Sequence, residues 1–319
     1  MNLLSKPFRT HGGRISSDTL LKGAVAAAAA FVLFLLLLLA YELLSGSRLT
    51  LEAFGLKFFV TTTWDPVHSI FGALPFIYGT LLTSAIALVI SIPISIGVAI
   101  CLVEKLRGRR GLAYALGTVV ELLAAVPSVI FGLWGLFVLA PFIRDYVEKP
   151  LSHSLGFLPV FSGTPFGLDF LTAGVILAIM IIPTVSAVSR NVLNAVPNSQ
   201  REALYSLGGT DLEVVRHSIL PYARSGLFGA TILGLGRAVG ETMAVTMVIG
   251  NEVSMGPSLF SGGYTLASVI ANQFTEASTP FFTSALIELG LVLFVVALAV
   301  NVFARFLLWR MSKFSRVRI

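Results

Sequence analysis

Two residues of opposite charge, Arg237 and Glu241, lie inside one long apolar segment, residues 224–250. No other charged residue occurs between Arg224 and Glu252. Burying a charge at membrane depth costs roughly 3 to more than 10 kcal/mol, so such residues mark transport pathways or binding sites. The spacing of four predicts that both side chains share one helix face and pair. Because a guanidinium matches the geometry of phosphate-like oxyanions, the pair favours movement of an anion.

The composition predicts a polytopic helical membrane protein. The chain has 319 residues, of which 56% are hydrophobic and 12% are charged, and its mean hydropathy is +0.90. Soluble domains carry about 25% charged residues, so a soluble protein is excluded. The single Cys101 rules out a disulfide framework, and the four histidines are scattered along the chain. We therefore expect no metal site and no cofactor on this chain.

Six apolar stretches are each long enough to span a bilayer, and they predict an all-α fold with six transmembrane helices. The first stretch follows Lys22 and lacks a small-residue cleavage site, which favours a retained helix over a signal peptide. Pro127 and Gly132 predict a break in the long third stretch, followed by a re-entrant or interfacial piece. The stretches cover residues 22–44, 76–103, 113–143, 168–190, 224–250 and 283–310.

The positions of Lys and Arg predict the orientation. Seventeen of the 22 basic residues fall in the N-terminal tail 1–21 with Lys22, the loop 104–112, the region 190–224 and the C-terminal end. The excess of basic residues marks the cytoplasmic side, so both termini, including the tail 311–319, are predicted to be cytoplasmic. The loop 45–75 then lies in the periplasm. This topology accounts for the net charge of +6, and no nucleic-acid partner is expected.

The cytoplasmic loop 191–223 is predicted to form two short helices. Ser199–Glu202 and Thr210–Glu213 both match the capping-box pattern that opens a helix. The glycine pair at 208 and 209 ends the first helix, and Pro221 ends the second. From the residues alone, this hairpin either connects two spans or forms a docking site for a cytoplasmic protein.

Several motifs resemble those of known transporters. Glu202-Ala203, then Gly208, then Ile219-Leu220-Pro221 resemble the EAA motif of bacterial ABC importer permeases, with Leu204 in place of the second alanine. Further segments, Glu121–Pro141 and Leu233–Asn251, are similar to phosphate-specific ABC permeases of the PstC type. The resemblance covers residues 75–310 and implies a type I ABC importer permease fold for the domain 76–310.

The resemblance also implies function, partners and a coupling segment. It implies a subunit of a phosphate importer in the cell inner membrane, paired as a heterodimer with a second homologous permease. The implied remaining partners are two ATP-binding subunits and a periplasmic or lipid-anchored phosphate-binding protein. Coupling to the ATPase would involve the residues that match the motif, which are Glu202, Ala203, Gly208, Leu220 and Pro221.

Arg237 lies near the middle of its stretch, where a gate or transient site is expected. We hypothesise that Glu241 neutralises Arg237 at rest and that passing phosphate competes for the guanidinium; the alternative is an ion pair that only holds helices together. Glu121 is a second candidate for the pathway, and Ser128 a third, because it follows Pro127 at the predicted break. Small residues recur every fourth position along the stretch and leave room for a neighbouring helix or a ligand: Gly226, Ala230, Gly234, Ala238, Thr242 and Thr246, with Gly236, Gly240 and Ala244 in a second row.

Two other functions stay open on the residues alone. In the first, the transported substrate is another oxyanion, sulfate or molybdate. In the second, the chain is an ion-coupled secondary transporter in which Glu241 or Glu121 relays a proton or cation. An enzyme is not expected, since the apolar stretches contain no catalytic constellation. The chain has no G-x-x-x-x-G-K-[ST] motif, so ATP hydrolysis is expected on a separate polypeptide.

Overall fold

The computed structural model describes residues 17–315, and the ends of both predicted tails, residues 1–16 and 316–319, lie outside the described residues. No β-strand occurs among the residues described, which form helices and loops with two isolated bridges, Asp65 to Ile70 and Gly250 to Gly263. The helices are α1 (Ser17–Gly46), α2 (Arg48–Phe54), α3 (Leu74–Lys105), α4 (Arg110–Ala124), α5 (Ser128–Leu155), α6 (Phe170–Asn194), α7 (Asn198–Ser206), α8 (211–240), α9 (Met243–Val248), α10 (Leu266–Gln273) and α11 (Pro280–Ser315).

Five of these helices are long and apolar enough to cross a membrane. They are Leu20–Gly46, Leu74–Lys105, Ser128–Leu155, Phe170–Asn194 and Pro280–Arg310. The predicted all-α polytopic fold is therefore confirmed, whereas the number of six spans is not. The fifth predicted stretch is divided, because α8 ends at Gly240 and α9 begins at Met243.

Helix α6 lies at the centre of the bundle and packs against α3, α4, α5, α8 and α9. Its side chains Phe170, Ile176 and Ile181 are fully buried in the largest core cluster. Small residues bring the neighbouring backbones close to it: a Cβ at Gly234 of α8 would lie 2.7 Å from Val185 Cγ2. The part of the first small-residue row that lies on α8 thus meets another helix, as predicted from its spacing, whereas Thr242 and Thr246 lie beyond the end of α8.

The connection 48–73 is folded onto an aromatic cluster. Trp64, Phe71 and Phe76 are buried there with Phe282 at the start of α11. The rings of Phe71 and Phe282 stack with centroids 5.7 Å apart, and Trp64 Nε1 donates a hydrogen bond to Gln273 Oε1 at 2.8 Å. Burying large rings contributes much of the packing energy of such a cluster, so this connection is a packed part of the fold.

The third stretch breaks at Pro127 as predicted, but it continues differently beyond the break. The short helix α4 precedes Pro127, and α5 then runs for 28 residues to Leu155. The expected re-entrant piece is therefore wrong. Two π-helical turns, Gly135–Leu139 and Arg144–Glu148, let α5 continue past Pro141 and Pro150.

Gly132, unlike Pro127, does not break the helix. It lies within α5, where an added Cβ would come within 2.6 Å of Met247 Sδ and 3.0 Å of Ala244 Cα. Glycine at this position therefore lets α5 pack closely against α9.

The loop 191–223 forms one short helix and the start of a long one. Helix α7 begins after Pro197 without a side-chain cap, so the capping box predicted at Ser199 is wrong. The capping box at Thr210 is present, because Glu213 N–H bonds to Thr210 Oγ1 and Thr210 N–H to Glu213 Oε2. Pro221 does not end this helix. A π-helical turn at Val215–Ile219 precedes it, and the helix runs on to Gly240.

Candidate transport site and coupling segment

Arg237 lies in the last turns of α8 and faces α6. Its Nη1 donates a hydrogen bond to Thr184 Oγ1 at 3.1 Å, and its side chain is half-buried. It lines a cavity of about 520 Å³ between α6, α8 and α11. Because this guanidinium keeps further N–H groups beyond the one bonded to Thr184, it can bind an oxyanion that enters the cavity.

Glu241 does not share a helix face with Arg237, so the predicted pairing is wrong. Helix α8 ends at Gly240, and Glu241 is extended, with φ −72° and ψ 128°. Its Oε1 accepts a hydrogen bond from Ala244 N–H at 3.4 Å in the first turn of α9. Carboxylates stabilise helix N-termini, which explains the acid at this break. Within residues 17–315, neither residue has an ion-pair partner in its own chain.

The other two pathway candidates do not line this cavity. Glu121 of α4 pairs with Arg190 Nη2 at 2.9 Å, and its side chain is 55% exposed. Arg190 is six residues from Thr184, or about 9 Å along α6. Ser128 is the first residue of α5, after the extended Pro127. Neither Glu121 nor Ser128 is among the residues that line the cavity at Arg237.

Of the residues that match the EAA motif, Glu202 and Ala203 lie on α7, Gly208 in the turn after it, and Leu220 and Pro221 on α8. Glu202 and Ala203 are exposed on α7. Gly208 has φ +80°, and an added Cβ would meet no atom within 4 Å, so the backbone conformation, and not crowding, calls for glycine. Leu220 packs against a buried cluster that includes Leu193 and Ile219, while Pro221 is exposed. This arrangement presents α7 as an exposed helix at one end of the bundle.

Arg201 anchors α7 to the bundle, a role that was not predicted from the sequence. Its side chain is 4% exposed, and Glu104 at the end of α3 is 12% exposed. Arg201 Nε and Nη2 both donate to Glu104 Oε1, at 3.1 and 2.7 Å. The same guanidinium donates to the carbonyls of Leu193, at 3.0 Å, and Val196 at the end of α6. One side chain thus joins α7 to both α3 and α6.

Three buried acids were also not predicted. Glu148 of α5 is fully buried, and its Oε2 accepts a hydrogen bond from Gly167 N–H at 3.0 Å. Asp169 caps α6 by accepting from Thr172 N–H at 2.8 Å, and burial raises the pKa of Asp169 above its ordinary value. Glu288 of α11 is 1% exposed. For Glu288 the sequence did contain a signal of burial, because this acid lies inside the last apolar stretch and acids are rarely buried unless they are paired.

Comparison with known proteins finds both a family and close relatives. The family described as "Binding-protein-dependent transport system inner membrane component" matches residues 91–313. The phosphate transport system permease protein PstC of Xylella fastidiosa (strain Temecula1) is 46% identical, over 98% of each chain. PstC 2 of Mycobacterium tuberculosis is 42% identical, over 90% of each chain. Among solved structures, the inward-facing MetNI methionine ABC transporter has a TM-score of 0.48 and 20% identity, over 71% of this chain and 90% of that one.

Proposed function

The chain belongs to the family of binding-protein-dependent transport system inner membrane components, and from that premise we propose that it is the permease subunit of an ATP-driven inorganic phosphate importer, forming half of the translocation pathway. The observation that carries the proposal is the near full-length similarity to relatives named as phosphate transport permeases. The half-buried Arg237 on the cavity wall supports an anionic substrate. Sulfate or molybdate, and ion-coupled transport, are less well supported.

The chain is a multi-pass protein of the inner membrane, as its family and apolar helices indicate. We propose that it pairs with a second homologous permease and that two ATP-binding subunits serve the pair, one of them docking against α7 through Glu202, Ala203 and Gly208. A phosphate-binding protein delivers the substrate from the other side, and both termini lie in the cytoplasm. The chain itself holds no cofactor in this scheme.

The contacts of Arg237 differ from those of the gate predicted from the sequence, in which Glu241 neutralises Arg237. In this structure Thr184, and not Glu241, is hydrogen-bonded to the Arg237 guanidinium. A neutral hydroxyl leaves the positive charge uncompensated, so an entering phosphate gains a charge-assisted hydrogen bond without first displacing a carboxylate. Glu241, at the break after α8, instead accepts a hydrogen bond from the first turn of α9. Any part that Glu241 plays in the pathway is therefore separate from the contact between Arg237 and phosphate.

Transport by the reconstituted complex tests the proposal. Proteoliposomes that contain this chain, the second permease, the ATPase and the binding protein should take up radiolabelled phosphate, with inhibition by vanadate and none by an uncoupler. Arg237→Gln should lower uptake roughly 10- to 100-fold, the value of a hydrogen bond to a charged group. Arg310→Gln, on an exposed arginine near the end of α11, is the control. Preferential uptake of sulfate by the wild-type complex would refute the assignment.

A further inference from the structure

The groove between α8 and α11 has two sides of opposite character. One side forms a cavity of about 390 Å³ whose lining is apolar apart from Thr231, and the Oγ1 of Thr231 is already bonded to Leu227 O at 3.1 Å. The other side is the 520 Å³ cavity, whose polar lining residues are Arg237, Arg305, Asn301 and Thr184. Polar and charged side chains in a membrane protein face water-filled cavities or other chains, so we assign the second side to the pathway.

Both helices present regularly spaced groups to the polar side. Gly229, Gly236 and Arg237 line it from α8, and Asn301 and Arg305 are one turn apart on α11. Added Cβ atoms at Gly229 and Gly236 would meet nothing within 4 Å. These glycines therefore do not serve packing. Their absent side chains leave space between the two arginines.

The charges in this cavity are not balanced by acids. Its lining contains two guanidinium groups and, among the described residues, no Asp or Glu. Thr184 accepts a hydrogen bond from Arg237, so its own O–H is available to donate. Asn301 Nδ2 donates to Ala297 O at 2.8 Å, which leaves Asn301 Oδ1 as an acceptor. The set thus offers several donors and one neutral acceptor.

We propose that Arg305, Asn301 and Thr184 form, together with Arg237, a transient site for a protonated tetrahedral oxyanion, with Asn301 Oδ1 accepting a hydrogen bond from its P–OH group. This inference rests on the proposed function and names residues that distinguish substrates. Hydrogen phosphate carries the hydroxyl that Asn301 Oδ1 accepts from, whereas sulfate is fully ionised and lacks it. A site built to hydrogen-bond a hydroxyl discriminates against an analogue without one.

Cysteine accessibility tests the site without relying on transport. Cys101 is the single native cysteine, so Cys101→Ser provides the background for Gly236→Cys in the polar cavity and Leu235→Cys on the apolar side as control. In the assembled complex, an anionic methanethiosulfonate should label Gly236→Cys faster than a cationic one, on the order of tenfold, because of the nearby guanidinium charges. Arg305→Gln should reduce that preference, and Leu235→Cys should show none.

Inorganic phosphate should slow labelling of Gly236→Cys. Asn301→Leu should raise the phosphate concentration needed for protection about tenfold and leave that for sulfate unchanged, since it removes the acceptor of the P–OH group. The Nδ2 group that is lost with it bonds to Ala297 O, within its own helix. Protection by vesicles of phosphatidylglycerol but not by free phosphate would assign the site to lipid headgroups and overturn the proposal. A lack of labelling in the complex would also overturn the proposal, because it would mean that a partner chain covers the cavity. Gly229→Cys repeats the test at a second position.

The two proposals fail separately. If the wild-type complex imports phosphate but phosphate does not protect either cysteine, the site is refuted and the importer stands. If the wild-type complex does not import phosphate, the proposed function is refuted whatever the labelling shows.

Discussion

Replacing Arg201 should destabilise the protein and disconnect α7 from the bundle. Arg201→Met removes both bonds to Glu104 and both bonds to the carbonyls at the end of α6. Glu104 is only 12% exposed, so its carboxylate would be left without a partner in a poorly solvated place. Breaking a buried ion pair in this way costs about 3–5 kcal/mol.

The matched control is Arg190→Met, which breaks a more exposed pair. The Arg190 and Glu121 side chains are 23% and 55% exposed, and such pairs contribute about 0–1 kcal/mol. Thermal unfolding of the purified complex should therefore show a much larger fall in midpoint for Arg201→Met than for Arg190→Met. Equal shifts would refute the assignment of a buried anchor.

A double variant separates stability from coupling. Glu104→Leu with Arg201→Met removes both charges, which restores stability in many buried pairs. If Arg201 transmits movement between α7 and the spans, the double variant should regain its unfolding midpoint but show weak stimulation of ATP hydrolysis by the phosphate-loaded binding protein. Full stimulation would mean that the ion pair serves folding alone.

Packing and charge predict three further outcomes. Gly234→Ala should lower the thermal unfolding midpoint, since its Cβ would lie 2.7 Å from Val185 Cγ2 and overpacking costs about 1–3 kcal/mol, while Gly236→Ala should not. Glu121→Gln should leave phosphate uptake within about twofold of wild type, because it breaks only an exposed pair. Burial raises the pKa of Asp169, so wild-type stability should fall as pH rises from about 4 through the folded-state pKa. Asp169→Asn, which keeps a good cap, should show a smaller fall in unfolding midpoint with rising pH than the wild type.

Composition and apolar stretches predicted the class of fold because those signals are local and repeated. The break at Glu241 was missed because Gly240-Glu241-Thr242 lies within an otherwise continuous apolar pattern, and the sequence does not show that the carboxylate bonds to Ala244 N–H. The helix through Pro221 was missed because a π-helical turn can accommodate a proline without ending the helix.

The importance of Arg237 was predicted from its isolated charge. Its partner Thr184 and the cavity residues Asn301 and Arg305 were not, since they come from α6 and α11 and meet only in three dimensions. The anchor from Arg201 to Glu104 spans 97 positions of sequence, and no spacing rule connects residues so far apart. Contacts between distant elements are set by packing, which a single sequence does not display.

Because α8 is one continuous helix, a rotation at one of its ends moves the other end over a larger distance. The capped start at Asp211 and the end at Gly240 belong to one helix, about 45 Å long at roughly 1.5 Å per residue. Arg237 lies about 39 Å from the end that adjoins α7. A tilt of about 10° around that end would carry the guanidinium roughly 7 Å sideways, on this geometry. If an ATP-binding subunit docks at α7 as proposed, a small rotation at that end of α8 would become, at the other, a displacement larger than a phosphate ion.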